Sequence, residues 1–114
     1  MTTGDKANAW ISRTPLPSLP VVTLHRQTLD RHISVHHPEM LGKVELILAT
    51  LEKPTLIASG NPGTNNLVFV DHKETKVNGS PLVVVVNLPK ANVCTALYHR
   101  GFRTVAEERV IWRP

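Results

Sequence analysis

The apolar residues change period once, at Pro54, and that change constrains the fold more than any other feature of the chain. Upstream of it, Met40, Val44, Ile47, Leu48 and Leu51 recur at spacings of three and four, the stripe of an amphipathic helix. Pro38 suits the first turn of such a helix, and Glu39 beside it complements the positive end of the dipole. Pro54 ends it, so the sequence predicts a helix over about 38–52. Downstream the period is that of strands. Thr55-Leu56-Ile57-Ala58, Leu67-Val68-Phe69-Val70, Leu82-Val83-Val84-Val85-Val86 and Asn92-Val93-Cys94-Thr95-Ala96-Leu97 are short, β-branched runs. Gly60-Asn61-Pro62-Gly63, Asn78-Gly79-Ser80-Pro81 and Asn87-Leu88-Pro89-Lys90 separate them with turn chemistry.

Connections this short favour antiparallel neighbours. Helices followed by strands predict an α+β domain: two N-terminal helices packed on one face of a mainly antiparallel, four- to five-stranded sheet. The first of the two helices is short. Thr28 is placed to cap it, Asp30 lies in its first turn, and Pro38 disfavours helical backbone at His37. Val21-Val22-Thr23-Leu24 reads as a short strand ahead of it, and Arg109-Val110-Ile111-Trp112 as a last edge strand. Residues 1–20 carry Pro15, Pro17 and Pro20 and are expected to be irregular, leaving 21–114 as a single domain. A length of 114 residues allows one core and not two.

The balance of 41% hydrophobic and 19% charged residues is that of a globular chain. No apolar run approaches the roughly 18–20 residues needed to span a bilayer, and no secretion signal follows Met1. The lone cysteine, Cys94, excludes an internal disulfide and fits a reducing compartment, so the expected location is the cytoplasm. The net charge of +4 favours polyanionic partners. Arg100, Arg103, Arg109 and Arg113 concentrate part of it in the last fifteen residues, either as a solvated tail or as phosphate contacts.

Two groups of residues bear chemistry. Arg31-His32-Ile33-Ser34-Val35-His36-His37-Pro38-Glu39 places three histidines in six positions, and imidazole exchanges protons near neutrality. On a helix His32 and His36 project from one side, but the glutamate of a metalloprotease motif is missing, and no further ligand has standard spacing. No metal or cofactor is therefore expected, and a zinc protein built on His32 and His36 is a minor alternative. The second group is Thr95, Tyr98, His99 and Arg100, at the end of the Asn92-to-Leu97 run. Their side chains can donate to, protonate or neutralise a phosphoryl group. Alternation predicts Cys94 and Ala96 on one face of that strand and Val93, Thr95 and Leu97 on the other. Cys94 lacks a cationic neighbour in sequence and reads as a small buried hydrophobe.

The words His32-Ile33, His37-Pro38-Glu39-Met40, Ile47, Leu51-Glu52-Lys53-Pro54 and Ile57-Ala58-Ser59 resemble the opening of a phage- and bacteria-associated nuclease-like domain group. The fold of that group is shared with barnase, EndoU, the tRNA-cutting colicins and RelE. Leu82-Val83-Val84-Val85-Val86 and Val93-Cys94-Thr95-Ala96-Leu97-Tyr98 are similar to its closing strands, so the likeness covers about 21–98. It implies metal-independent endoribonuclease activity, in which the RNA 2′-hydroxyl attacks the adjacent phosphate, and a toxin or mobile-element role with a protein inhibitor as partner. His32 and His37 would then be acid and base in either order, with Thr95 as the third catalytic group. Arg31, His36, Tyr98, His99 and Arg100 would contact RNA. The alternative function is a non-catalytic module that binds RNA or a protein.

Overall fold

The computed structural model describes residues 3–4, 8–76 and 78–114. Its strands are β1 (Thr3–Gly4), β2 (Ala9–Arg13), β3 (Val21–His25), β4 (Leu56–Ser59), β5 (Asn66–Thr75), β6 (Pro81–Asn87), β7 (Asn92–Tyr98) and β8 (Val110–Trp112). They form one mixed sheet in the order β1-β2-β3-β7-β6-β5-β4-β8. Every pairing is antiparallel except β3 with β7, where Thr23 lies opposite Asn92.

This corrects the expected architecture of two helices on a four- to five-stranded sheet. The β4-β5-β6-β7 meander is present, but the sheet continues past it on both sides. One addition comes from the stretch expected to be irregular: Ala9–Arg13 is a strand, in register with Val21–His25. The prolines confine irregularity to the connection. There the Thr14 hydroxyl donates to the Leu19 carbonyl and accepts from the Leu16 N–H. That turn drives Leu16 and Leu19 into the core.

The helical layer is also shorter and less regular than the apolar stripe suggests. Helix α1 (residues 26–36) is α-helical at Arg26–Thr28 and Ser34–His36 and widens to a π turn at Leu29–Ile33. Leu29 and Ile33 within that turn are both buried. A 3₁₀ turn at Pro38–Met40 follows. Gly42 then takes φ +74°, the left-handed region that glycine enters without steric cost. This breaks the expected 38–52 helix, so α2 runs only from Val44 to Glu52. Met40, Ile47, Leu48 and Leu51 are all buried, as the stripe implies. None of the described helices is long and apolar enough to cross a membrane.

Both faces of the central strands are covered. Leu82, Val84 and Val86 of β6 join Phe69 and Ile57 under the helices. Val83 points the other way, with Val68, Val70, Leu56 and Ala58, and Phe102 and Val105 of the C-terminal segment pack over them. A strand buried on both sides needs no polar alternation, which explains the unbroken Leu-Val-Val-Val-Val run.

Candidate functional site

The faces of β7 decide which chemical groups can meet. Val85 pairs with Thr95 but Val86 pairs with Val93, so Cys94 is an extra residue in a bulge. Val93, Ala96 and Tyr98 consequently face the helices. Val93 therefore does not share a face with Thr95 and Leu97, as simple alternation expects. Thr95 and Leu97 lie on the opposite, outer face, in line with Val83 and Val85.

Among the histidines of the first motif, Ile33 and Leu29 anchor α1 against the helix side of the sheet. His32 and His36 are exposed, with ring centroids 4.8 Å apart, and Arg31 is exposed beside them. His37 is half-buried, and its Nδ1 lies 4.0 Å from Glu39 Oε2. No three His, Cys, Asp or Glu side chains among the described residues are grouped to hold a metal ion, so the His32–His36 pair lacks a third ligand. The sheet itself stands between these histidines and Thr95. Tyr98 is on the helix side too. Its hydroxyl donates to Glu74 Oε2 at 3.1 Å and accepts from Lys43 Nζ at 3.2 Å. Burial is the main force raising its pKa; the Glu74 carboxylate adds to it and Lys43 opposes it. Arg100 is exposed in the 3₁₀ turn Arg100–Phe102. Burial likewise raises the pKa of Cys94, against the smaller pulls of the Asn87 backbone and Lys90.

Of the catalytic and RNA-contact candidates, Thr95 and His99 share a cleft of 260 Å³ on the outer face. Its floor is apolar: Val68, Val83, Val85 and Leu97. Asn61, Thr64, Asn66, His99 and Arg109 supply the polar groups, Thr95 lies beside them, and no carboxylate among the described residues lines it. The wall from 60 to 66 is the β4–β5 connection, closed by the Gly60 N–H donating to the Asn66 carbonyl at 2.8 Å. The facing wall is the C-terminal segment, which crosses the outer face. His72 Nε2 contacts the Phe102 carbonyl at 2.9 Å, and Arg109 Nη2 donates to the Ser59 carbonyl at 2.8 Å.

These contacts fix what each group can do. One N–H of Arg109 is held by Ser59, and its guanidinium carbon is 5.4 Å from the Phe102 ring centroid. The rest of the planar fork remains for an acceptor. His99 Nδ1 accepts from the Gly101 N–H at 2.9 Å, so in the neutral ring the proton sits on Nε2. His99 is thus a donor at Nε2 and has no lone pair there to act as a base. The Thr95 hydroxyl oxygen is buried and has no hydrogen-bond partner. The cleft can hold an anionic or hydrogen-bond-accepting group over an apolar surface, and it contains no acid–base couple.

Arg109, Asn61, Thr64 and Asn66 were not among the expected site residues. Arg109 carried one signal, the concentration of arginine near the C-terminus. The Gly60-Asn61-Pro62-Gly63 loop carried none beyond its turn chemistry. No family model matches the sequence, and no curated protein or solved structure matches it either.

Proposed function

We propose that this chain is a cytoplasmic, non-catalytic RNA-binding module that seats a single-stranded segment on the outer face of its sheet. The observation that carries the reading is the composition of the outer cleft: donors and amides around an apolar floor, with Arg109 on its wall and no carboxylate. Such a lining suits a nucleotide, whose phosphate takes the arginine fork and whose base covers the aliphatic floor. The net charge of +4 adds a weaker, long-range attraction for a polyanion. Cleavage by the 2′-hydroxyl route needs a base and an acid at one phosphate. His32 and His37 lie across the sheet from Thr95, and His99 holds its Nε2 proton, so binding is better supported than catalysis.

Fluorescence anisotropy with a labelled single-stranded RNA tests this. The parent is expected to bind with a log Kd against log salt slope of about 0.7 for each phosphate held. Arg109→Ala should weaken binding about tenfold or more and remove about one such contact from the slope. Arg113→Ala is the control, because Arg113 pairs with Glu107 outside the cleft. Equal affinity of the Arg109→Ala variant and the parent would refute the reading. Cleavage of the same RNA in EDTA, lost in His32→Ala or His37→Ala, would replace it with the nuclease.

A further inference from the structure

Thr95 holds an unusual position in the cleft. The residue is half-buried and lines the cavity, yet its hydroxyl oxygen is covered and unpaired. What it shows to the cavity is therefore carbon. A buried hydroxyl without a partner lowers stability, and valine has the same shape without that cost. The surrounding floor residues Val83 and Val85 are valines. A threonine among them gives up stability for a polar group that the folded chain does not use.

Rotation about χ1 exchanges the methyl and hydroxyl positions between staggered wells, both of which threonine populates. Because Thr95 lines the cavity, such a rotation offers its Oγ1 a way out of the interior towards the cleft. Arg109 and residues of the 60–66 loop line the same space. The strand is also bulged one residue earlier, at Cys94, a device that re-aims side chains beside sites.

We propose that Thr95 is the specificity-determining residue of the cleft: its hydroxyl swings in and hydrogen-bonds the polar edge of one nucleobase lying on the Val68/Val83/Val85/Leu97 floor. This rests on the RNA-binding reading, with Arg109 holding the phosphate of the same nucleotide. Threonine then reads the base and arginine holds the backbone, so the two contacts separate experimentally.

The test compares the parent, Thr95→Val, Thr95→Ser and Arg109→Ala on two probes, a single-stranded RNA and an abasic oligonucleotide of equal length. Thr95→Val should melt a few degrees above the parent, bind the RNA about tenfold more weakly (1.4 kcal/mol), and bind the abasic probe as the parent does. Thr95→Ser keeps the hydroxyl and should bind RNA within about twofold of the parent, an expected loss well below the tenfold step. Parent-like RNA binding by Thr95→Val, or equal weakening on both probes, overturns the proposal while Arg109→Ala still reports on the cleft. If Arg109→Ala also binds as the parent does, the RNA-binding reading itself falls.

Discussion

Replacing Ile47 by alanine tests whether α2 is the element that seals the helix side of the sheet. Ile47 has no exposed surface, and Leu48 and Leu51 beside it have 1% and 0%. The helix contacts β2, β5 and β6, so a void there opens under three strands at once. The substitution removes three carbons, worth about 2.4 kcal/mol at about 0.8 kcal/mol per buried methylene. A residual cavity of about 50 Å³ adds about 1.2 kcal/mol, and the sum of about 3.6 kcal/mol lies within the measured range for such changes. A domain of this size has a total stability of about 6–17 kcal/mol, so the variant still folds. Its melting temperature should fall by about 14 °C, at about 4 °C per kcal/mol. Urea titration followed by far-UV circular dichroism gives the loss directly, with an unchanged m-value showing that the same surface is exposed. Glu45→Ala, on the exposed side of the same helix, should stay within about 0.5 kcal/mol. A loss below about 0.5 kcal/mol for Ile47→Ala would refute the packing of α2 described above.

Gly60→Ala should damage fold and cleft together. The added Cβ would lie 2.7 Å from the Asn66 carbonyl oxygen and 3.0 Å from its Cβ, so the start of the hairpin must open. Thermal melts should show a cost of about 1–3 kcal/mol, with weaker RNA binding in anisotropy; an unchanged melting temperature would contradict the close approach. Alkaline pH should also destabilise the domain, because Cys94 and Tyr98 both have raised pKa values in the folded state. The folded chain holds these protons more tightly than the unfolded chain. Stability is therefore whole below the unfolded values, about 8.5 for cysteine and about 10 for tyrosine, and falls as pH rises through the higher folded values. Urea midpoints measured from pH 7 to 11 should show this decline. Cys94→Ala should remove its lower part, and a profile identical to that of the parent would exclude the thiol as its source.

The elements legible in the sequence are those whose local pattern is dictated by burial on a regular lattice. The Val44-to-Leu51 part of the stripe and the four β-branched runs are of this kind: the first lies in α2, and each run overlaps an observed strand. What the local pattern cannot carry is long-range pairing. Ala9–Arg13 joins the sheet because Val21–His25 lies alongside it, and β3 joins because Thr23 meets Asn92 some seventy positions later. Neither pairing leaves a periodic trace in its own strand. The break in the second helix is a smaller case. Gly42 sits inside an intact apolar stripe, and only its left-handed backbone shows that the stripe is served by two separate turns.

The site was harder to read for a reason of parity. Residue type pointed to Thr95 and His99 and equally to His32 and His37, and type alone cannot say which face of a sheet a helix covers. Once α1 lies over the face of β7 that carries Ala96 and Tyr98, every odd position from Thr95 to His99 falls on the other side, away from the histidine cluster. The partners of Thr95 are then whatever crosses that outer face. Here that is the C-terminal segment, held down by His72 and Ser59, which converts Arg109 from one basic residue of a tail into a wall of the cleft. On the proposed RNA-binding reading, Arg109→Ala is therefore expected to weaken binding more than any single substitution in the more conspicuous Arg31-to-Glu39 motif.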